Sequence, residues 1–595
     1  MNSGDAERDE SAGHAAHAPS RRKVLAWLGA AGASAILGSN SAVAGNWGGT
    51  LPKRTLLSVE GSALLEQTSL NQSWSPQSQV PSQRQMVLDP ADFRYHIDYF
   101  NAMAPEEVVS YVPNAAAWDW MQANIPFFAC PDGDVEQIYY YRWWAYRKHI
   151  EKTPVGFIIT EFLKPVKHAG EYNALSCAFG HHVAEGRWLH DPQYIDQHIN
   201  FWLHSGPNGG LHPKLHQFSG WTSAAVYDRW LVNGDRDFLL SQLDALILDY
   251  KTWEQERLLP SGLFWQFDVA DGMESSISGG RKVHNARPTI NSYMFGNAKA
   301  IAAIATLQGK PDVAQEYEIK AARLRQLVNE HLWNSRDLFF EALFESGKLA
   351  GVREEIGFTP WLFGVPHDGT EYAAAWRQLA DANGFFAPYG PTTAEQRNSG
   401  FQIAFNGDDC QWNGPSWPFS TTITLKALGN FLNTTRASNF HQAISPQDYF
   451  RTFLLYTRSH RLRLDDGRVI PWVDENLDPF TGNWLARERK IKEGVFYGRG
   501  DHYNHSAYAD LVITDVAGLR PRADATVEVH PLLPANTWDW FCLDGVPYHG
   551  HLLTIVWDET GKKFGKEQGL SVLADGKLIA HAAKLGRVAG LLPSS

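Results

Sequence analysis

The chain has 595 residues, 44% of them hydrophobic and 20% charged, and its 53 basic and 65 acidic residues leave a formal net charge of −12. That length exceeds what one ordinary core fills, so at least two domains are expected, with the composition of a soluble globular protein. The acidic balance, with no long basic run beyond the extreme N-terminus, argues against nucleic acid and anionic membranes as partners.

Residues 1–44 read as an address. A polar stretch leads to Ser20-Arg21-Arg22-Lys23-Val24-Leu25, a weakly apolar run from Ala26 to Leu37, and a small-residue cleavage site at Ser41-Ala42-Val43-Ala44. This order fits a twin-arginine signal and implies a periplasmic or extracellular protein. After cleavage no run of about 18 apolar residues predicts a membrane span. Residues 45–109 form an N-terminal extension, with a polar, proline-bearing linker at Ser75–Gln83.

From residue 110 to 515 helical periodicity dominates. Apolar residues recur at three-to-four spacing in Ala174–Leu189, Tyr194–Leu203, Thr222–Leu231, Asp237–Leu258, Thr289–Leu307, Asp312–Leu332, Tyr372–Ala382, Ser420–Leu432 and Pro446–Tyr456. Gly234-Asp235 and Gly309-Lys310-Pro311-Asp312 each close one helix and open another, Gly terminating and Asp capping. Such hairpins build an open solenoid or a closed ring. The long aromatic loops 204–221, 259–288, 384–417 and 471–505 favour a ring with a functional mouth. From 516 to 595, Thr526–His530, His551–Trp557 and Leu570–Leu573 alternate with turns ending in Asp575-Gly576, the texture of a small antiparallel β-domain.

Cys130, Cys177, Cys410 and Cys542 lie far apart without CxxC spacing, which favours four buried thiols over one disulfide and gives no zinc signature. His181, His182 and Glu185 share a helix but lack HExxH, so that helix reads better as ring lining than as a metal site. No cofactor is expected.

Two acidic turns carry chemistry. Asp271-Gly272-Met273-Glu274-Ser275 and Trp472-Val473-Asp474-Glu475-Asn476 are distant in sequence and bracketed by Gly, Pro and aromatics. Glycoside hydrolysis needs such a pair, one carboxyl protonated to donate to the leaving oxygen and one ionised. Met273 and Trp265 are candidates for an apolar wall around the acid, Asn476 and Arg487 for polar neighbours of the base.

Four segments resemble the trehalase-like (α/α)6 glycoside hydrolases: family 63, its mannosylglycerate hydrolase-like relatives and, more distantly, family 37 trehalases. They are Ile125–Phe128 with Glu136–Trp144, Asp271–Ser275, Cys410–Pro418, and Asp474–Gly482. The resemblance implies a mainly α fold, an (α/α)6 toroid over residues 110–515 with the C-terminal β-domain behind it. It implies Glu475 as general base and Glu274 as general acid. Because the family usually has Asp at the acid position, Asp271 stays open as the alternative. It further implies substrate contacts from Glu136, Arg142, Trp143, Gln411, Trp412, Asn413 and Trp417, with Arg287 as a further candidate. Asn413 stands where trehalases carry Asp, which argues against trehalose. The expectation is an inverting exo-acting hydrolase of a carbohydrate. The rivals are a polysaccharide lyase, drafting Arg499, His502 and Tyr503, and a non-catalytic sugar-binding protein.

Overall fold

A computed structural model describes residues 86–367, 370–434 and 443–594. The twin-arginine segment and residues 45–85 of the extension lie outside the described residues.

Six helical segments make an inner ring: Phe179–Gly186, Thr222–Asn233, Pro288–Leu307, the 3-10 helix Glu355–Leu362, Pro418–Thr434, and Tyr508–Leu511 running into the π turn Val512–Val516. Each packs on the next and the last packs on the first, which closes the ring. Gln193–His204, Leu243–Arg257, Pro311–His331, Pro446–Ser459 and Gly133–Lys148 form an outer layer. This is an (α/α)6 toroid.

Sequence explains the two layers. Pro288–Leu307 is apolar or small around its whole circumference and is buried on nearly every face, as an inner helix must be. Pro311–His331 buries a single stripe, Tyr317, Ala321, Leu324 and Val328, and leaves its charged face to solvent. Fully burying each Leu or Val in that stripe contributes about 1.5–3 kcal/mol. Gly234 ends Thr222–Asn233 with φ of 73°, and Asp235 caps the next helix by accepting the Phe238 amide at 3.1 Å. At the second junction Pro311 opens the helix and Asp312 sits within its first turn, not at the cap. Tyr372–Ala382 breaks into short pieces, Thr370–Ala373, Ala374–Trp376 and Arg377–Ala380.

The segment Gly133–Lys148, which resembles the family's first aromatic substrate loop, is a helix. Asp132 caps it through the Asp134 and Val135 amides, both at 3.1 Å, and beyond Gly133 no Gly or Pro interrupts it. Its aromatics are buried on all sides between the ring and the helix Arg94–Met103. The preceding Phe127–Ala129 is a strand that pairs with Cys542–Asp544. It leads a five-stranded antiparallel sheet completed by Trp540–Tyr548, His551–Asp558, Gly569–Ala574 and Lys577–Ala582. Positive φ at His549 and Gly550, and at Asp575 and Gly576, marks two-residue hairpin turns. A three-stranded sheet of Val588–Leu591, Thr526–Val529 and Leu519–Arg520 accompanies it. Among the described residues no helix is long and apolar enough to cross a membrane.

Candidate active site

The inner helices share one polarity, so their N-termini converge on one mouth of the ring. Cys177, Trp221, Arg287, Trp417 and His505 each stand just ahead of an inner helix. Helix N-termini carry partial positive charge and favour carboxylates nearby.

The first acidic turn is built on Asp268, which caps Val269 at 2.7 Å while its carbonyl accepts the Met273 amide at 2.9 Å. Gly272 takes φ of 73°, and a Cβ there would lie 2.7 Å from Cys177 Sγ. Ser275 also adopts a positive φ, 58°. The chain therefore turns sharply on both sides of Glu274. Asp271 and Glu274 end in different environments. Asp271 is buried and paired with Arg287 Nε at 2.8 Å, and it also accepts the Thr289 hydroxyl. Glu274 is half-buried, and burial pushes its pKa up to about 8. The charges of Asp408 and Glu475 add to that rise; its own amide and Arg281 pull against it. Asp408 is anchored by Arg281 at 2.7 Å and by the Ser275 hydroxyl at 3.2 Å. Of the two wall candidates, Met273 is buried, while Trp265 stacks on His284 at 3.7 Å.

The second turn is held by Asn476, which donates to the Asp409 carbonyl at 3.0 Å and accepts the Ala486 amide at 3.1 Å. Glu475 is buried and gripped by Arg499 through Nε and Nη2. Burial works against the Arg499 charge, but Glu475 outweighs it and raises the guanidinium pKa. Arg487 does not reach Glu475; it pairs with Asp501 and, at 3.7 Å, with Asp474. Arg499, a cation a lyase would need for its substrate, is thus committed to a carboxylate. Cys410 Sγ lies 3.8 Å from Glu475 Oε2, and the charges of both Glu274 and Glu475 act on its thiol. The two turns therefore meet around Cys410.

Trp412 and Trp417 stack with centroids 4.6 Å apart and planes at 12°. The Trp417 indole N–H donates to the Gln411 carbonyl at 2.9 Å. Gln411 donates to the Gln402 carbonyl at 2.7 Å, and Asn413 to the Gly400 carbonyl at 3.3 Å. Gln411 Oε1, Trp412 Nε1 and Asn413 Oδ1 are buried without a protein partner. Helix Gly133–Lys148 places the other expected contacts elsewhere. Glu136 faces His96 at 3.2 Å and Tyr95 at 3.3 Å. Arg142 is buried against Ser506 at 2.9 Å, His460 at 3.2 Å and Glu185 at 3.6 Å. Trp143 is fully buried between Tyr139 and Tyr146. The structure thus brings Glu274, Glu475, Gln411, Trp412, Asn413 and Trp417 to one mouth, with Asp271 and Arg287 locked together beneath the first turn. Glu136, Arg142 and Trp143 support the ring from outside it.

Sequence reasoning missed Glu161. It follows the strand Gly156–Ile159, is buried, and accepts the Tyr503 hydroxyl. Burial pushes its pKa up to about 7, the Tyr503 bond pulls back, and the Glu475 charge adds to the rise. The only available signal was a lone acid between the apolar residues Phe157-Ile158-Ile159 and Phe162-Leu163. His182 Nε2 meets the Asn504 carbonyl at 2.8 Å, and Glu185 accepts the Ala509 and Asp510 amides, both at 3.0 Å. Among the described residues no cluster of three or more side chains could hold a metal ion, and all four cysteines are free thiols.

A cavity of about 910 Å³ lies within the ring. It runs along the inner helices from Trp221 and His181 to Arg187, Leu231, Lys299 and Lys426, and touches neither Glu274 nor Glu475. Chemistry follows the carboxylates and not that volume.

The mannosylglycerate hydrolase MGH1-like glycoside hydrolase domain matches residues 171–506, more than half of the chain and the whole span between the ring's first inner helix and His505. The chain belongs to this family. Residues 519–581 match the C-terminal domain of glycosyl hydrolase family 65, over the β-domain. A solved structure named as a sialidase is 45% identical with a TM-score of 0.80, covering 84% of this chain and 45% of that one. The chain thus spans under half the length of that relative. The mannosylglycerate hydrolase of Thermus thermophilus, solved with glucose, is 15% identical with a TM-score of 0.45, covering 63% of this chain and 99% of that one.

Proposed function

We propose that the protein is an exported, inverting exo-glycosidase with Glu274 as general acid and Glu475 as general base. The observation that carries this reading is the unequal environment of two carboxyls meeting at one mouth. Burial and neighbouring negative charge keep Glu274 protonated near neutral pH, whereas Glu475 is paired with a guanidinium. In one step Glu475 takes a proton from water, the water oxygen bonds the anomeric carbon, and Glu274 protonates the departing oxygen as the glycosidic bond breaks. A carboxylate offers about four lone-pair sites, so Arg499 leaves Glu475 room for that water. Asp271, held by Arg287 and Thr289, braces the acid turn and is the weaker candidate for proton donor.

Trp412 and Trp417 would form the apolar floor of the sugar subsite, with Gln411 and Asn413 beside it. Exo action fits a mouth walled by buried aromatics. Export by the twin-arginine route rests on Arg21-Arg22 and the segments after them.

The deciding experiment is turnover of a glycan panel by residues 45–595, with product anomers followed by proton NMR. Inverted product that is lost in both Glu274→Gln and Glu475→Gln is expected. Retained configuration, an unsaturated product, or activity indifferent to Glu475 would overturn the reading.

A further inference from the structure

A line of buried polar groups runs from the candidate base into the ring. Glu161 is 4% exposed, and its backbone is pinned because its carbonyl accepts the Asn504 amide at 3.0 Å. One carboxylate oxygen takes the Tyr503 hydroxyl. The other makes no hydrogen bond, although the Ala178 amide at the head of helix Phe179–Gly186 lies near enough to favour its charge. The Tyr503 ring lies tilted against His505 with centroids 3.7 Å apart, and His505 meets the Trp417 indole edge-on at 6.0 Å. His505 is 2% exposed, and neither of its ring nitrogens makes a well-formed hydrogen bond, although the Tyr503 carbonyl lies near enough to favour its charge. Burial holds His505 well below the ordinary histidine pKa, so its imidazole is neutral, with one donor and one acceptor nitrogen.

Core packing does not account for this arrangement. A buried polar group without a hydrogen bond is costly, and such groups are rare unless function requires them. Here His505 lies against Trp417, Glu161 joins it through Tyr503, and Gln411, Trp412 and Asn413 each carry such an atom at the Trp412–Trp417 stack.

We propose that Glu161 and His505 are specificity-determining residues that read hydroxyl groups of the sugar unit lodged against Trp417, Glu161 as acceptor and His505 as donor and acceptor. This rests on the glycosidase reading of the mouth. The ligand class is an uncharged sugar with free hydroxyls. The nearby cations are already engaged: Arg499 by Glu475, Arg287 by Asp271, and Arg142 by Ser506. A sugar carboxylate would meet Glu161 and Glu475 without a cation to receive it. Tyr503 is a positioning residue that fixes the Glu161 carboxylate.

The test uses residues 45–595 with p-nitrophenyl glycosides of neutral sugars, the matching glucuronide and sialoside, and monodeoxy analogues of whichever neutral glycoside is cleaved. Glu161→Gln should keep the fold by circular dichroism and lower kcat/KM about 10–100-fold, as loss of one charged hydrogen bond does. That loss should vanish for one particular monodeoxy analogue, which a merely structural role would not produce. His505→Ala should show the same pattern with a second analogue. Equal losses across all analogues, Glu161→Gln within twofold of the parent, or preference for a charged glycoside would overturn the proposal. So would the absence of turnover together with tryptophan fluorescence that no neutral monosaccharide changes. Undiminished activity in Glu475→Gln, by contrast, would sink the two-carboxylate mechanism and leave the hydroxyl subsite standing.

Discussion

Arg499 lies across both carboxylate oxygens of Glu475, with its side chain 23% exposed and that of Glu475 only 3%. The cation is thus the more exposed member of the pair. A forked, charge-assisted pair of this kind fixes orientation as well as charge. It supplies a partner for an acid in a turn packed among Trp472, Leu477 and Trp484, all buried.

Removing the fork leaves a buried charge without its partner. Arg499→Ala should lower unfolding free energy by about 3–5 kcal/mol, the usual result of breaking one side of a buried pair. Arg499→Lys, which keeps charge but not the planar fork, should fall between the two. Urea denaturation midpoints at pH 7 measure this. An alanine variant as stable as the parent would mean the pair is solvent-screened and contributes little.

As the proposed general acid, Glu274 should set the alkaline limb of activity. Its pKa, pushed up to about 8 mainly by burial, keeps it protonated at neutrality, and the donor is lost as pH rises through that value. kcat should fall tenfold per pH unit above about 8. Glu274→Gln should remove the limb and cost about 10²–10⁴-fold on an unactivated glycoside. A p-nitrophenyl glycoside, whose leaving group needs little protonation, should lose far less. An unchanged alkaline limb in the variant would assign it to another group.

The same burial shapes stability against pH. Glu161 and Glu185 are raised to about 7, and Glu355 to about 8, in each case first by burial. From pH 4.5 upward the unfolded chain has lost these protons while the folded chain keeps them, so this contribution fades until the folded values are passed. His149 is lowered to about 3 and His182 to about 4, again by burial. Below pH 6.5 the unfolded chain takes protons these folded histidines refuse, which lowers stability toward acid. Above pH 6.5 the histidines are neutral in both states and only the carboxyls act, so stability should decline from pH 6.5 toward pH 8, as read by denaturation midpoints between pH 6.5 and 9. A monotonic rise to pH 9 would contradict it.

The ring was legible because its helices keep a 3.6-residue period over long stretches, as Pro311–His331 does. Gly133–Lys148 was not, because its aromatics occur on every face. A helix buried all round gives no amphipathic signal, and its aromatic density mimics a sugar loop. Glu355–Leu362 escaped notice because Pro360 interrupts a short 3-10 segment. In the site, Glu274, Glu475 and the Trp412–Trp417 pair were readable as motifs. Glu161 and Arg499 were not, because their meaning depends on partners 342 and 24 residues away in sequence. Arg487 was the nearer guess for Glu475, and only the folded loop shows it turned to Asp501 instead.

Gly500 joins these distant pieces. An ideal Cβ at that position would fall 1.8 Å from Asp474 Oδ1, the oxygen that accepts the Glu475 amide at 2.8 Å. No Cβ tolerates such a distance, so in Gly500→Ala either Asp474 or the Gly498–Asp501 loop must move. Asp474 is buried and held beside Arg487 and Trp472, so the displacement should pass to Glu475. A shift of about 1 Å in a reacting group costs about 100-fold in rate, and kcat should fall accordingly. Gly133→Ala is the matched control: nothing lies within 4 Å of its added Cβ, and it opens a helix that alanine favours. Parent-like kcat in Gly500→Ala, beside an unaffected Gly133→Ala, would mean that the loop yields without moving Glu475.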